Sequence, residues 1–207
     1  MIRTIVSDLG GILLRFDNTI FLRKLAPFTS HSPEEIRRVT HDNLDLAILF
    51  EKGAVSPLDF YKNVKELLEL TASYEEFYAL YVDIFSLDPA VLDLFRRLRP
   101  FYKMALLSNT DVMRWTFIKR RFPEILIFDA YGLSFDLGAM KPDPTVYLDV
   151  LAQTGTQPGE ALFIDDLSEN VVGAQRMGLN GFVFRPGQDL EGELARLGVG
   201  VGKTLPS

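Results

Sequence analysis

Two adjacent carboxylates, Asp165 and Asp166, close the apolar run Ala161-Leu162-Phe163-Ile164, and a lone carboxylate, Asp8, closes a second run, Thr4-Ile5-Val6-Ser7. Short apolar runs of this kind read as strands buried on both faces, and parallel strands deliver their last residues to one edge of a sheet. Acids gathered at one edge repel: two like charges about 4 Å apart cost about 4 kcal/mol at an effective dielectric near 20. A hard divalent cation with oxygen ligands removes that cost, most often Mg2+ in the company of a phosphate. The acids therefore point to metal-dependent phosphate chemistry.

Three further segments fit that chemistry. Gly10 and Gly11 follow Asp8-Leu9 and allow backbone to approach a ligand closely. At the end of the run Leu106-Leu107 stands Ser108-Asn109-Thr110, which reads in two ways. Asn109 or Thr110 caps a helix, or the Ser108 hydroxyl and the amide after it face an anion at a helix N-terminus. Lys141, in Gly138-Ala139-Met140-Lys141-Pro142-Asp143-Pro144, is either a solvated loop lysine or a cation that neutralises phosphate oxygens beside the carboxylates.

The elements that must position these residues follow from punctuation and periodicity. Five β-like runs can be picked out, 3–7, 103–107, 125–130, 161–164 and 181–184, and three of them are separated by amphipathic segments, the alternation of a parallel sheet with helices on both faces. Asp88-Pro89 and Asp143-Pro144 each open a helix with an N-cap and a first-turn proline. Ser168 reads as the cap of a helix that ends near Gly178, where glycine can take the left-handed closing position. Residues 18–86 break this rhythm, with no convincing strand and three helix starts. Ser32-Pro33-Glu34-Glu35 and Ser73-Tyr74-Glu75-Glu76 fit the capping box, and Ser56-Pro57 precedes Phe60, Val64, Leu67 and Leu68 at helical spacing. The aromatic stripe Tyr74, Phe77, Tyr78, Tyr81, Ile84, Phe85 reads as packing between helices. A helical bundle inserted after the first strand would stand over the edge that bears Asp8, as a lid.

With 207 residues, 47% hydrophobic, the chain can bury a substantial core, as one domain or one domain with an insertion. A formal charge of -6 without a basic stripe argues against nucleic acid as a partner; Arg96-Arg97 and Arg120-Arg121 read as solvated helix faces. The absence of cysteine excludes disulfides and thiolate zinc sites. Neither a secretory apolar region nor a stretch of about 18–20 apolar residues is present, so a soluble, cytoplasmic protein without a membrane partner is expected. The tail Gly198-Val199-Gly200-Val201-Gly202-Lys203-Thr204 looks like a nucleotide-binding glycine loop, but that loop needs four residues before its Gly-Lys pair. Here there are three, and a flexible tail is expected.

Taken together and in this order, Asp8, Ser108-Asn109, Lys141 and Asp165-Asp166 resemble the haloacid dehalogenase superfamily of phosphohydrolases, over almost the whole chain. The resemblance implies an α/β fold, a Rossmann-like parallel sheet of order 5-4-1-2-3 from residues 1–16 and 87–207, with a small helical cap at 17–86. It implies Asp8 as nucleophile and Mg2+ ligand and a Gly10 carbonyl on the metal. Ser108, Asn109 and Lys141 would hold the phosphoryl group, with Lys141 also stabilising Asp8. Asp166 and Asp165 would complete the metal site, directly or through water, with Asn170 in support. The substrate would be a small phosphorylated metabolite.

The sequence departs from that pattern where most phosphatases of the superfamily carry a second aspartate, two residues after the nucleophile; this chain has Gly10. Loss of a positioned acid forfeits about 10² to 10⁴ in rate. Three outcomes follow: a leaving group that needs little protonation, such as an anomeric sugar phosphate; an acid borrowed from elsewhere, Asp17 being nearest in sequence; or a slow or inactive relative. Asp8-Leu9-Gly10-Gly11 is similar to the branch of bacterial sugar-1-phosphate phosphatases. The competing activities are a metal-independent 2-haloacid dehalogenase, for which the paired acids would have little use, and a non-catalytic module that binds phosphorylated ligands. Glu51, Lys52 and Gly53, between the second and third expected cap helices, either face the site or form a solvated turn. Neither the leaving group nor the oligomeric state is written in these motifs.

Overall fold

A computed structural model describes residues 1–202. Along the chain run β1 (Thr4–Ser7), β2 (Leu14–Phe16), α1 (Asn18–Leu25), α2 (Pro33–Asp42), α3 (Leu44–Glu51), α4 (Pro57–Leu67), α5 (Tyr74–Val82), β3 (Phe85–Leu87) and α6 (Pro89–Leu98). They are followed by β4 (Lys103–Ser108), α7 (Val112–Arg121), β5 (Ala130–Leu133), α8 (Ser134–Leu137), α9 (Pro144–Thr154), β6 (Ala161–Asp165), α10 (Ser168–Arg176), β7 (Asn180–Val183) and α11 (Leu190–Arg196).

Five parallel strands form one sheet in the order β5-β4-β1-β6-β7. The expected order of 5-4-1-2-3 does not hold in these labels, because the antiparallel pair β2-β3 lies between the first and second parallel strands in the chain; among the five parallel strands alone, neighbours are the same. Period-2 alternation sends Ile5, Met104, Leu106, Leu162 and Ile164 to one face and Val6, Ala105, Leu107 and Phe163 to the other. The first face packs on α6, α7 and α11 through Phe95, Leu98, Ile118 and Leu194. The second packs on α9 and α10 through Val146, Tyr147, Val150 and Ala174. Covering both faces is what makes β1 and β6 buried at every residue and lets their acids emerge only at the end.

The third expected strand, 125–130, lies too early in the chain. Pro123–Ile125 is a 3-10 turn, and the strand begins at Ala130. Ile125 and Phe128 are apolar because they plug the core below the sheet, not because they pair. The helix expected from Ser168 is present, but its N-cap is Leu167, and Ser168 makes no capping bond. Asp88 and Asp143 cap α6 and α9, both capping boxes form at α2 and α5, and Gly178 has a φ of +85°.

Between β2 and β3 stand five helices where three starts were expected. The additional two are α1, capped by Asp17, and α3, which has no capping side chain to announce it. Their interior is aromatic: Phe50 stacks on Phe60 at 4.1 Å and Phe77 on Tyr81 at 5.6 Å. α5 ends at Val82, so Ile84 lies in the turn after it and Phe85 opens the return strand. That strand pairs with β2, Phe16 opposite Phe85, so the chain leaves and re-enters the sheet layer through one short ribbon.

The C-terminal segment is not loose throughout. Val199 is fully buried in the core, and Gly200 donates its N–H to the Tyr102 hydroxyl at 3.1 Å. Lys203 and Thr204, the end of the glycine-rich pattern, lie outside the described residues. No helix among the described residues is long and apolar enough to cross a membrane.

Candidate active site

Parallel register decides which side chains meet. Ser7 pairs with Leu106 on one side and Ile164 on the other, so the next residue, Asp8, emerges beside Asp165 and the end of β4. Asp8, Asp165 and Asp166 each offer an oxygen within 4.8 Å of the others, a group that could hold a metal ion. Such an all-carboxylate set suits a hard cation such as Mg2+.

Lys141 is inserted between two of these acids. Its ammonium is 2.8 Å from Asp8 Oδ1 and 2.7 Å from Asp165 Oδ2, and it donates to the Leu107 carbonyl at 3.0 Å. It is a buried cation, not a solvated loop lysine. Asn109 holds it there: the Lys141 N–H donates to Asn109 Oδ1 at 2.8 Å, and Asn109 Nδ2 donates to the Lys141 carbonyl at 3.1 Å. Asn109 thus positions the lysine loop beside the carboxylates. Ser108, buried at the end of β4, remains at the edge beside Asp8. Neither Asn109 nor Thr110 caps the following helix, since Asp111 does so by accepting from the Met113 and Arg114 N–H groups.

The two adjacent acids are not equivalent. Both oxygens of Asp165 are held: Oδ1 by the Leu167 N–H and Asn170 Nδ2, Oδ2 by Lys141 and Asn170 Nδ2. Asn170 is itself buried, and its carbonyl accepts from the Tyr147 hydroxyl at 2.7 Å. The half-buried Asp166 makes no side-chain hydrogen bond or ion pair among the described residues. It lies against Gly11, where an added Cβ would stand 2.2 Å from Asp166 Oδ2. Gly11 also has a φ of +71°, so both space and conformation require glycine there.

The electrostatics follow from this crowding. Burial foremost, and Asp165 in addition, push Asp8 up to about 7, against the pull of Lys141 and the Leu9 N–H. Asp166 is raised by burial and by Asp165. Burial works against the Lys141 ammonium, but Asp8 and Asp165 outweigh it and hold its pKa above the ordinary lysine value. One internal cation for three acids leaves a deficit of positive charge, which a divalent ion would fill. On Asp8, Oδ1 accepts from Lys141 and from the Leu9 N–H, while no donor among the described residues reaches Oδ2.

Two expected contributors stand differently. Asp17 caps α1, its carboxylate accepting from the Thr19 N–H, and these contacts lower its pKa. At Gly10, an added Cβ would lie 2.9 Å from the Phe16 ring, so an aromatic fills the space beside the position of the absent acid. Glu51 ends α3, and Lys52 and Gly53 follow it, between the third and fourth helices of the insertion, not the second and third. This turn docks on the sheet layer: the Ser134 hydroxyl donates to the Glu51 carbonyl, and Gly53, with a φ of +69°, packs against the Phe135 carbonyl.

Sequence reasoning missed one cluster. The Tyr81 hydroxyl donates to Asp111 Oδ2 at 2.8 Å, and the Arg114 guanidinium lies over the Tyr81 ring at 4.4 Å. Arg114 also lies 3.7 Å from Glu51 and donates to Asn18 Oδ1 at 3.3 Å. These residues come from α1, α3, α5 and α7 and its cap, and no local spacing signals their meeting.

Comparisons with known proteins agree with this geometry. Residues 2–178 match the family model of haloacid dehalogenase-like hydrolases. A D-ribitol-5-phosphate phosphatase of Bacteroides thetaiotaomicron is 28% identical over 201 residues, 94% of this chain and 97% of that protein. A sesquiterpene phosphatase of Aspergillus oryzae is 26% identical over 184 residues, 85% of this chain and 86% of its own. Among solved structures, a HAD family enzyme of Bacteroides thetaiotaomicron, in complex with magnesium and inorganic phosphate, matches with a TM-score of 0.78 at 25% identity. That match covers 93% of this chain and 99% of the other.

Proposed function

We propose that this chain, which belongs to the haloacid dehalogenase-like hydrolase family, is a Mg2+-dependent phosphatase of small phosphomonoesters that works through an aspartyl-phosphate on Asp8. The observation that carries the reading is the meeting of Asp8, Asp165 and Asp166 around one point, with a single buried lysine between two of them. The phosphatases among its relatives and the magnesium and phosphate in the related crystal structure support it.

Asp8, Asp166 and the Gly10 carbonyl would hold the ion, with Asp165 acting through water because its own oxygens are already engaged. When bound, Mg2+ would neutralise the phosphoryl oxygens and the carboxylates together. Asp8 Oδ2, the oxygen without a protein donor, attacks phosphorus in line. The phosphorus–ester oxygen bond breaks, its electron pair stays on the leaving oxygen, and the alcohol takes a proton from solvent. Water then attacks the same phosphorus, the bond to Oδ2 breaks, and inorganic phosphate leaves with the carboxylate restored. Lys141 offsets charge on Asp8 and on the equatorial oxygens, and Ser108 lies at the edge where it can bind one of them. Helices α1–α5, residues 17–86, act as a cap that closes on the core and covers the leaving group.

Because position 10 carries no acid, leaving groups of low basicity should turn over best. The test is a panel of phosphomonoesters, including p-nitrophenyl phosphate, with Mg2+, after EDTA, and with Mg2+ restored. Turnover that EDTA abolishes and Mg2+ recovers is expected. Metal-independent release of halide from a 2-haloacid, or no turnover of any phosphomonoester, would overturn the reading.

A further inference from the structure

The helical insertion contains a cavity of about 260 Å³ that the proposed mechanism does not use. Its lining comes from α1–α5 and α7 and is mostly apolar, with Phe21 of α1, Val39 of α2, Leu46 of α3, and Val64 and Leu67 of α4 beside the polar Thr40 and Asn43. All five apolar residues are only partly buried, and Phe21, Val39, Leu46 and Val64 also pack on the buried core of the insertion. An apolar cavity of about 150 Å³ accepts a benzene ring. On that scale this one takes a body of on the order of ten carbon atoms.

One end of the cavity is different in chemistry. Asn18, Glu51 and Arg114 line it together with the apolar residues. The Nε of Arg114 is buried with no hydrogen-bond partner, although the guanidinium lies near Asp111, Glu51 and Asn18. This polar end is tied to the active edge along two stretches of chain. Asn18 comes two residues after Phe16, whose ring covers Gly10, and Arg114 lies in the first turn of the helix that follows Ser108 and Asn109. The Asn18–Arg114 hydrogen bond joins the two stretches.

Resting on the phosphatase reading, we propose that the cavity receives the leaving group, and that the substrates are phosphate monoesters of apolar alcohols of on the order of ten carbons. The phosphoryl end would lie toward Asp8, passing the polar rim, and the hydrocarbon would run between α1, α2, α3 and α4. Thr40 and Asn43 could partner some hydroxyls of a polyol, but those facing Phe21, Val39 and Leu67 would go without, which disfavours it in this space.

The wild-type chain with Mg2+ is assayed on straight-chain alkyl monophosphates from two to twelve carbons, geranyl monophosphate, ribitol 5-phosphate and p-nitrophenyl phosphate. Binding of ethyl and decyl phosphate is measured in parallel by calorimetry. The expected result is a kcat/KM that climbs about fourfold per methylene and levels near ten carbons, with geranyl phosphate preferred over ribitol 5-phosphate. Ala47→Trp, which fills the cavity from α3, flattens the climb. A series without chain-length dependence, while p-nitrophenyl phosphate still turns over, overturns the inference and leaves the phosphatase reading standing. If no phosphomonoester is hydrolysed, the phosphatase reading falls. The calorimetry then decides: decyl phosphate binding no tighter than ethyl phosphate rejects the cavity as an alkyl site, and binding at least a hundredfold tighter retains it.

Discussion

The Lys141 ammonium stands 2.7 Å from Asp165 Oδ2, with 1% and 0% of the two side chains exposed. The same ammonium reaches Asp8 at 2.8 Å, so one cation serves two buried acids. Removal of one partner from a buried ion pair leaves an uncompensated charge and typically costs about 3–5 kcal/mol. Lys141→Met should therefore lose stability of that order at neutral pH in urea unfolding without metal. Mg2+ should return part of the loss, because the ion neutralises the same carboxylates. A variant as stable as wild type without metal would show that the lysine does not hold these acids together.

Asn170 makes hydrogen bonds to both oxygens of Asp165, at 3.0 and 3.1 Å. Residues that orient metal-site carboxylates in this way typically contribute 10–100-fold to metal affinity. Asn170→Ala should weaken Mg2+ binding by that factor in calorimetric titration and lower stability by about 1–3 kcal/mol through the unmet hydrogen-bonding capacity. Unchanged Mg2+ affinity would place Asp165 outside the metal site.

Gly11 should tolerate no side chain. With a φ of +71° and Asp166 Oδ2 at 2.2 Å from a Cβ, Gly11→Ala must displace the carboxylate and adopt a conformation that costs roughly 1–2 kcal/mol. Mg2+ titration of the variant should show at least a tenfold loss of affinity, and equal affinity would remove Asp166 as a ligand.

Much of the site was legible because its parts are local. Asp8 and Asp165-Asp166 end apolar runs, and a run buried on both faces announces its own last residue. Asp88-Pro89, Asp143-Pro144 and the two serine–glutamate boxes carry their caps in three or four letters. What stayed hidden depends on contacts between distant segments. β2 and β3 are three residues each and exist through one another. The run at 125–130 is apolar without being a strand, since Ile125 and Phe128 fill the core. Asn109 could be read as a cap or an anion ligand, but its partner is the Lys141 peptide, 32 residues away. The Tyr81–Asp111–Arg114–Glu51 cluster needs three helices, α3, α5 and α7 with its cap, in place before it exists.

Within that cluster Glu51 has its pKa raised, chiefly by burial and further by Asp111, with Arg114 opposing. A carboxyl that titrates higher when folded keeps its proton longer than in the unfolded chain. Its ionisation therefore removes stability as pH rises from the ordinary glutamate value near 4.5 through the folded value. Glu51→Gln cannot ionise, so it should be more stable than wild type at neutral pH and match it near pH 4. Thermal unfolding across pH 4–8 checks this, and a variant less stable than wild type at pH 7 would show that the Arg114 contact outweighs burial.

The account depends most directly on Asp8 as the group that accepts phosphorus. Asp8→Asn keeps the shape of the side chain and one hydrogen-bond acceptor beside Lys141, but removes the nucleophilic carboxylate. With Mg2+ saturating and p-nitrophenyl phosphate as substrate, the variant should remain folded by circular dichroism and lose roughly 10⁴-fold or more in kcat. Turnover within tenfold of wild type, in a preparation free of deamidated chain, would contradict the central claim.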